Sequence, residues 1–444
     1  MHARRLDAPR MARNAWMIFA VMCLHLLATS SVAQSVPLAD RLRAHAITTI
    51  SAQQEDGQLA RVLSTSRVVG LGEATHGQHE AFDLKRRTTM RLVREHGYRT
   101  VAYEASASQA RAGNSYIQGY SDDRKEAMNG FGMLIWRVEE NAALLDDLRA
   151  WNATALPAER VRFIGFDAQD GGAVADRIGV LVADGTLSSR VHALVERSGA
   201  AMQALFQGDR TAFEALSVDL DAVERDLAKV RLTAPEDQTE LPLRALELRS
   251  FIRMYGTPGG RDKAMADLVL AQLGPAEKCV AWAHNGHVKR SALDYLGTEE
   301  LAMGGHLAHA LREDYYALGF TFGSGEFQAN AQDSTGRWGF KRYRHSAPAT
   351  GSLEADLAAT GFGDFALDLR TAPADTAVQR WLNTPHGQRW WGGYQVPDDC
   401  DERTRDASQL MPMVPANDFD GLVFFLRTTA AVPMDKSRII PLAR

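Results

Sequence analysis

Cysteine is scarce in this chain, with three in 444 residues. Cys23 falls in an N-terminal apolar stretch, which leaves Cys279 and Cys400. Two thiols exclude a cysteine-rich metal site, and whether they pair is not written in the sequence. Cys279, set in an apolar run, reads as a small buried hydrophobe. Familiar catalytic signatures are also missing. There is no Gly-x-Ser-x-Gly nucleophile elbow, and Gly323-Ser324-Gly325 resembles one only superficially. His79-Glu80 has no second histidine four positions after the first, so the zinc-protease signature is absent. The phosphate-binding Gly-x-x-x-x-Gly-Lys loop and the dinucleotide fingerprint are absent as well. No basic stripe marks a nucleic-acid partner. No internal repeat or low-complexity tract interrupts the chain.

Beyond the N-terminus, no segment is long and apolar enough to span a bilayer. The N-terminus itself has the order of a secretory signal. Arg4, Arg5, Arg10 and Arg13 precede an apolar run from Ala15 to Ala28, and Ser31, Val32 and Ala33 stand before Gln34. The run falls short of the roughly 20 residues of a membrane span. The expectation is a signal peptide over 1–33, a mature chain over 34–444, and a periplasmic or secreted location without stable membrane association. Loss of four Arg and one Asp would take the formal charge from −5 to about −8.

Short, continuous apolar runs read as buried strands: Val68 to Leu71, Thr100 to Tyr103, Val161 to Phe166, Lys278 to Trp282, Tyr315 to Phe322, Phe365 to Leu369 and Leu422 to Arg427. Continuous rather than alternating apolar character suits parallel strands covered on both faces. Helical patterns lie between them, over Gln78 to Glu95 and Ile135 to Trp151. The expected fold is α/β, a mostly parallel central sheet flanked by helices. The stretch from about 187 to 273 lacks strand runs. Phe213, Leu216, Leu220, Val223, Leu227 and Val230 recur there at the helical period. It reads as a helical insertion, with Pro235 and Pro242 separating its helices.

Four of the expected strands end in chemistry. The first runs into Gly72-Glu73-Ala74-Thr75-His76-Gly77, the second into Glu104, the third into Asp167, and the fourth into His284-Asn285-Gly286-His287. Ligands of open α/β sheets bind outside the carboxyl ends of the strands, so parallel neighbours would bring these groups to one crevice. The residue types suit hydrolysis by an activated water. An imidazole takes a proton from water as the water attacks a carbonyl. A carboxylate, Glu73 or Glu104, fixes the ring of His76. His284 would hold the water, polarise the carbonyl or protonate the leaving alcohol, and Lys85 or Arg261 would stabilise oxyanion charge. Bland readings stand beside these. Asp167 would serve as a helix cap, Lys85 and Arg86 as a solvated helix face, His79 and Glu80 as first-turn residues, and Trp390, Trp391 and Tyr394 as packing.

Seven ordered blocks resemble the erythromycin esterase family. They are GLGEATHGQHEAFDLKRR at 70–87, VAYEAS at 101–106, Trp136-Arg137-Val138-Glu139-Glu140, GFD at 165–167, RDKAMA at 261–266, AHNGH at 283–287 and DFDGLVFF at 418–425. The resemblance implies an ester or lactone hydrolase, macrolactones included, that uses an activated water and no acyl-enzyme. His76 would be the general base, with Glu73, Glu104 and His284 essential beside it. Lys85, Arg137, Asp167, Arg261, Asp262 and His287 would meet the substrate, a small-molecule ester or lactone. No cofactor is implied. The same Glu, Asp and His set could instead ligate one divalent ion in a hydrolase acting on a peptide or other acyl substrate. A non-catalytic envelope binding protein is the remaining reading.

Overall fold

The computed structural model describes residues 37–44, 46–49, 56–254, 256, 260–295, 298–372, 374, 376–390 and 410–440. The expected signal peptide, Cys400, Trp391 and Tyr394 lie outside them. In chain order the strands are β1 (Ala46–Thr49), β2 (Val68–Leu71), β3 (Thr100–Ser106), β4 (Arg162–Asp167), β5 (Cys279–Trp282), β6 (Ala292–Tyr295), β7 (Thr298–Leu301), β8 (Tyr315–Gln332) and β9 (Trp338–His345). β10 (Phe365–Asp368), β11 (His386–Arg389), β12 (Leu410–Met413), β13 (Gly421–Thr428) and β14 (Ile439–Ile440) follow. The main sheet runs β1-β10-β13-β8-β2-β5-β3-β4, with β9 added to β8 and β14 to β9. From β13 to β4 all neighbours are parallel. The α/β reading with a mostly parallel sheet therefore holds, and all seven sequence-expected strands are present.

Both faces of the sheet are covered, as continuous apolar runs require. Val69, Leu71, Val101, Tyr103, Val280 and Trp282 enter one apolar layer, whereas Val68, Ala102, Cys279 and Ala281 enter the other. This is the period-two alternation of a strand, with apolar residues at both phases. Helices His79–His96 and Glu139–Thr154 lie on the first face, and helices Gly260–Ala271 and Met303–Leu311 on the second. Cys279 is fully buried, and burial pushes its thiol up to about 12.

Between β4 and β5 stand helices Gly171–Val182, Gly185–Phe206, Thr211–Leu227, Pro235–Arg253 and Gly260–Ala271. The first four share an apolar core of their own, built on Ile178, Val191, Leu216, Leu220 and Leu248. Pro235 opens its helix at the first turn, where its missing N–H costs nothing. Pro242 does not separate helices but lies inside Pro235–Arg253. It is only two turns from the helix start, and the apolar stripe on either side of it outweighs the one lost bond. The pattern read as a helix from Ile135 begins instead at Glu139. Leu134–Trp136 forms a single tight turn, and extended Val138 bridges to Pro433.

Candidate active site

The chain leaves β2 toward β3 and β4 on one side of the sheet. Later it returns to place β5 beside β2 and then moves to β8 on the other side. The crevice at such a reversal is where α/β sheets hold ligands. The loop after β2 is fixed there by main-chain bonds from Gly72 N–H to Leu318 O (2.8 Å) and from Asn285 N–H to Glu73 O (2.9 Å). Asn285 also exchanges side-chain bonds with the Phe320 backbone, at 2.6 and 3.0 Å. Gly77 is needed because a Cβ there would sit 2.0 Å from the Gln328 carbonyl oxygen.

Two linked networks occupy the strand ends. In the first, His76 Nδ1 lies 2.6 Å from Glu73 Oε1, and Lys85 Nζ donates to Glu73 Oε2 at 2.7 Å. Glu73 is thus the carboxylate that orients His76. Burial raises its pKa, but Lys85 and His76 outweigh burial and hold it down at about 2. An ionised Glu73 only accepts, so His76 carries its proton on Nδ1. That leaves Nε2 with no partner among the described residues. The Trp136 ring meets the imidazole edge-on, with centroids 4.3 Å apart.

Lys85 is not placed to meet a substrate. It is 1 % exposed, its ammonium sits 4.7 Å from the Trp282 ring centre, and its charge is spent on Glu73. Burial lowers its pKa, whereas Glu73 raises it. Arg137 is also outside the networks. Its guanidinium bonds the Gly132 carbonyl at 3.1 Å, and its charged neighbours are Arg438 and Glu126. The turn at Leu134–Trp136 directs Trp136, not Arg137, toward His76.

The second network centres on Arg261. It spans Asp167 (2.8 Å) and Glu104 (3.2 Å), and its third nitrogen lies 3.4 Å from His287 Nε2. With the Gln169 amide turned to its satisfied orientation, Gln169 Oε1 accepts from Arg261 Nε at 3.0 Å. His287 Nδ1 bonds Asp262 at 2.8 Å, and Met303 N–H donates to the same oxygen. Burial alone would lower the pKa of His287, but Asp262 and Glu104 raise it. Glu104 Oε2 accepts the His284 backbone N–H at 2.9 Å, which joins the second network to the first. Asp167 is no helix cap, since Asp170 caps the next helix through Ala173 N–H at 2.9 Å.

His284 stands between the networks. Its ring is 5.1 Å from that of His76 and 4.5 Å from that of Trp390. Its Nδ1 accepts from Gly286 N–H at 3.1 Å, so the ring proton is on Nε2. Burial, with the charges of His76 and His287, drives its pKa well below the ordinary histidine value. A cleft of about 210 Å³ opens over Glu104, Ser106, Phe131, Met133, Asp167 and Gln169. Larger grooves, on the outer face of His79–His96 and within the helical insertion, hold none of the strand-end groups. The donor set fits a divalent ion poorly. Glu73 is held by Lys85, and Glu104 and Asp167 by Arg261. Among the described residues no three His, Cys, Asp or Glu side chains converge as ligands.

Glu73, His76, Glu104, Asp167, Arg261, Asp262, His284 and His287 lie together at the strand ends. Asn285, which the sequence pattern does not single out, staples β8 to the site through its amide. Trp136 and Trp390, which read as a motif residue and as packing in the sequence, flank the rings of His76 and His284.

The erythromycin esterase family model matches residues 93–428. Erythromycin esterase type II of Escherichia coli is 24% identical over 355 residues, 71% of this chain and 84% of the relative. YbfO of Bacillus subtilis strain 168, whose name proposes a hydrolase, is 24% identical over 75% of this chain and 81% of its own length. A Bacillus cereus crystal structure superposes with a TM-score of 0.74 at 22% identity, covering 90% of this chain and 98% of that one. A mutant of the erythromycin esterase EreC, solved in its open conformation, gives 0.61 at 16% identity, over 86% and 97% of the two chains. These structures establish a shared fold. The chain belongs to the erythromycin esterase family and so to a family of hydrolases.

Proposed function

We propose that this protein hydrolyses an ester or lactone, macrolactones included, by drawing a proton from water onto His76. The observation that carries the reading is the buried relay Lys85–Glu73–His76, with bonds of 2.7 and 2.6 Å. It fixes the ring by Nδ1 and leaves Nε2 as a base beside the reversal of the sheet. In the reaction, water oxygen bonds to the carbonyl carbon as its proton passes to His76 Nε2. The C–O bond to the alcohol then breaks, and the imidazolium returns the proton to the leaving oxygen. Glu73 stabilises the transient imidazolium, and its pull from Lys85 keeps it ionised throughout. His284, its pKa held well below the ordinary value by burial, is hydrogen-bonded through its ring to the Ala74 backbone and flanks the His76 ring at 5.1 Å. Glu104 and Asp167 line the cleft and are held by Arg261, which His287 and Asp262 brace in turn.

Trp390, beside His284, supplies an apolar surface for the acyl or alcohol part of the substrate. The chemistry draws on side chains alone, so no cofactor is assigned and the partner is the small-molecule substrate. The basic and apolar N-terminus supports export, and among the described residues no helix is long and apolar enough to cross a membrane. Mass-spectrometric turnover of a panel of macrolactones and simple esters tests the reading. Gain of one water on a substrate, undiminished by a chelator, supports it. Turnover that a chelator abolishes and a divalent ion restores refutes the metal-free mechanism.

A further inference from the structure

The carboxyl end of β3 is not regular. Tyr103 stands opposite Gly165 and Ser106 opposite Asp167, so β3 carries one residue more than β4 across this step. Such a bulge re-aims the side chains it contains, here Glu104 and Ala105 opposite Phe166, and Glu104 is the polar one. Gly165 accommodates it, since a Cβ there would meet the Ala105 and Ser106 carbonyl oxygens at 2.4 and 2.5 Å.

What holds the bulge comes from the helical insertion. Glu247, on helix Pro235–Arg253, is fully buried. It accepts from Ser106 Oγ (3.0 Å), Ser108 N–H (2.8 Å), Ser108 Oγ (2.6 Å) and Arg244 (2.7 Å). Arg244 donates in turn to Ser108 Oγ at 2.8 Å. Three of these four donors lie within four residues of Glu104. The helix needs no such tie to dock, because Leu241, Leu248 and Ile252 already pack into the apolar core of the insertion.

We propose that Glu247 is a positioning residue for the candidate site, reaching from the insertion to lock the bulge that directs Glu104 onto His284 and Arg261. Four convergent donors define a carboxylate receptor, and removing it strands buried polar groups on both sides. The insertion thereby becomes part of the device that sets the site, and a shift of helix Pro235–Arg253 would be felt at Glu104. The catalytic consequence rests on the hydrolase reading; the geometric one does not.

Hydrogen exchange on the intact chain separates the two. In Glu247→Gln the amides of 101–108 and of His284, whose N–H is bonded to Glu104, should exchange about tenfold faster. Leu248→Ala, which loosens the insertion without touching the bulge, should speed exchange across 235–253 and leave His284 at the wild-type rate. Ser106→Ala, which keeps Glu247 and Arg244 paired, should raise exchange at His284 about threefold. On any ester the wild type turns over, Glu247→Gln should lower kcat about tenfold and leave KM within about twofold. Acceleration confined to 235–253 in Glu247→Gln, with His284 unchanged, makes Glu247 an anchor of the insertion and overturns the proposal. Absence of turnover in the wild type would count against the hydrolase reading alone, because exchange at His284 still decides the role of Glu247.

Discussion

Lys85 donates to Glu73 across 2.7 Å, and both side chains are 1 % exposed. The pair is far from solvent and leaves one carboxylate oxygen for His76. Breaking a buried pair from one side strands a charge, which typically costs 3–5 kcal/mol. Lys85→Met should therefore lower unfolding free energy by about 3–5 kcal/mol in a denaturant titration. Hydrolysis should fall with it, because a stranded Glu73 protonates and no longer supports an imidazolium. Full activity in a folded Lys85→Met protein would remove Lys85 from the account.

The depressed pKa of Glu73 has a consequence in acid. A carboxylate whose folded pKa lies below its unfolded one adds stability above the unfolded value, and that stability is lost as pH falls through the folded value. With Glu73 held at about 2, the stability gap between wild type and Glu73→Gln should be constant above pH 5 and shrink on the way to pH 2. The change is on the order of 3 kcal/mol. Paired urea titrations across that range check it.

His284 has a linkage of the same sign in a higher pH window. Its folded pKa lies well below the ordinary value, so the unfolded chain takes up a proton that the native ring refuses. Stability should therefore drop as pH falls below about 6.5, the unfolded histidine value. His284→Asn should flatten that slope. Ring-nitrogen NMR should show a neutral Nε2–H tautomer at pH 6, and a charged His284 ring there would contradict this linkage.

Gly165→Ala tests the bulge from the β4 side. The added methyl must displace two carbonyl oxygens of β3, and overpacking of this kind costs about 1–3 kcal/mol. Thermal unfolding should report the loss, and hydrolysis should fall further than stability because Glu104 moves with the bulge.

Much of this arrangement is legible in the sequence, for a physical reason. A parallel strand buried on both faces must be apolar at every position, so Val68 to Leu71 or Cys279 to Trp282 stand out, and the polar residues that follow are thrown into relief. What escapes is anything set by a partner distant in the chain. Lys85 sits beside Arg86 and Arg87 in a charged helix and reads as a solvated face, yet its helix turns it beneath Glu73. Glu247 is one acid among many in the helical insertion, 141 residues from Ser106, its partner. The β3 bulge leaves no mark in composition, and Pro242 marks no boundary because tertiary packing outweighs one lost bond. Arg137 shows the converse: the motif around it is informative, but its neighbour Trp136 is the side chain delivered to His76.

The most direct test of the central claim compares wild type with His76→Ala on the best substrate from the ester and macrolactone panel. General-base catalysis of this kind is typically worth 10²–10⁴-fold, so kcat/KM should fall by about 10³-fold with the fold and thermal stability retained. Hydrolysis by His76→Ala within tenfold of wild type would contradict it.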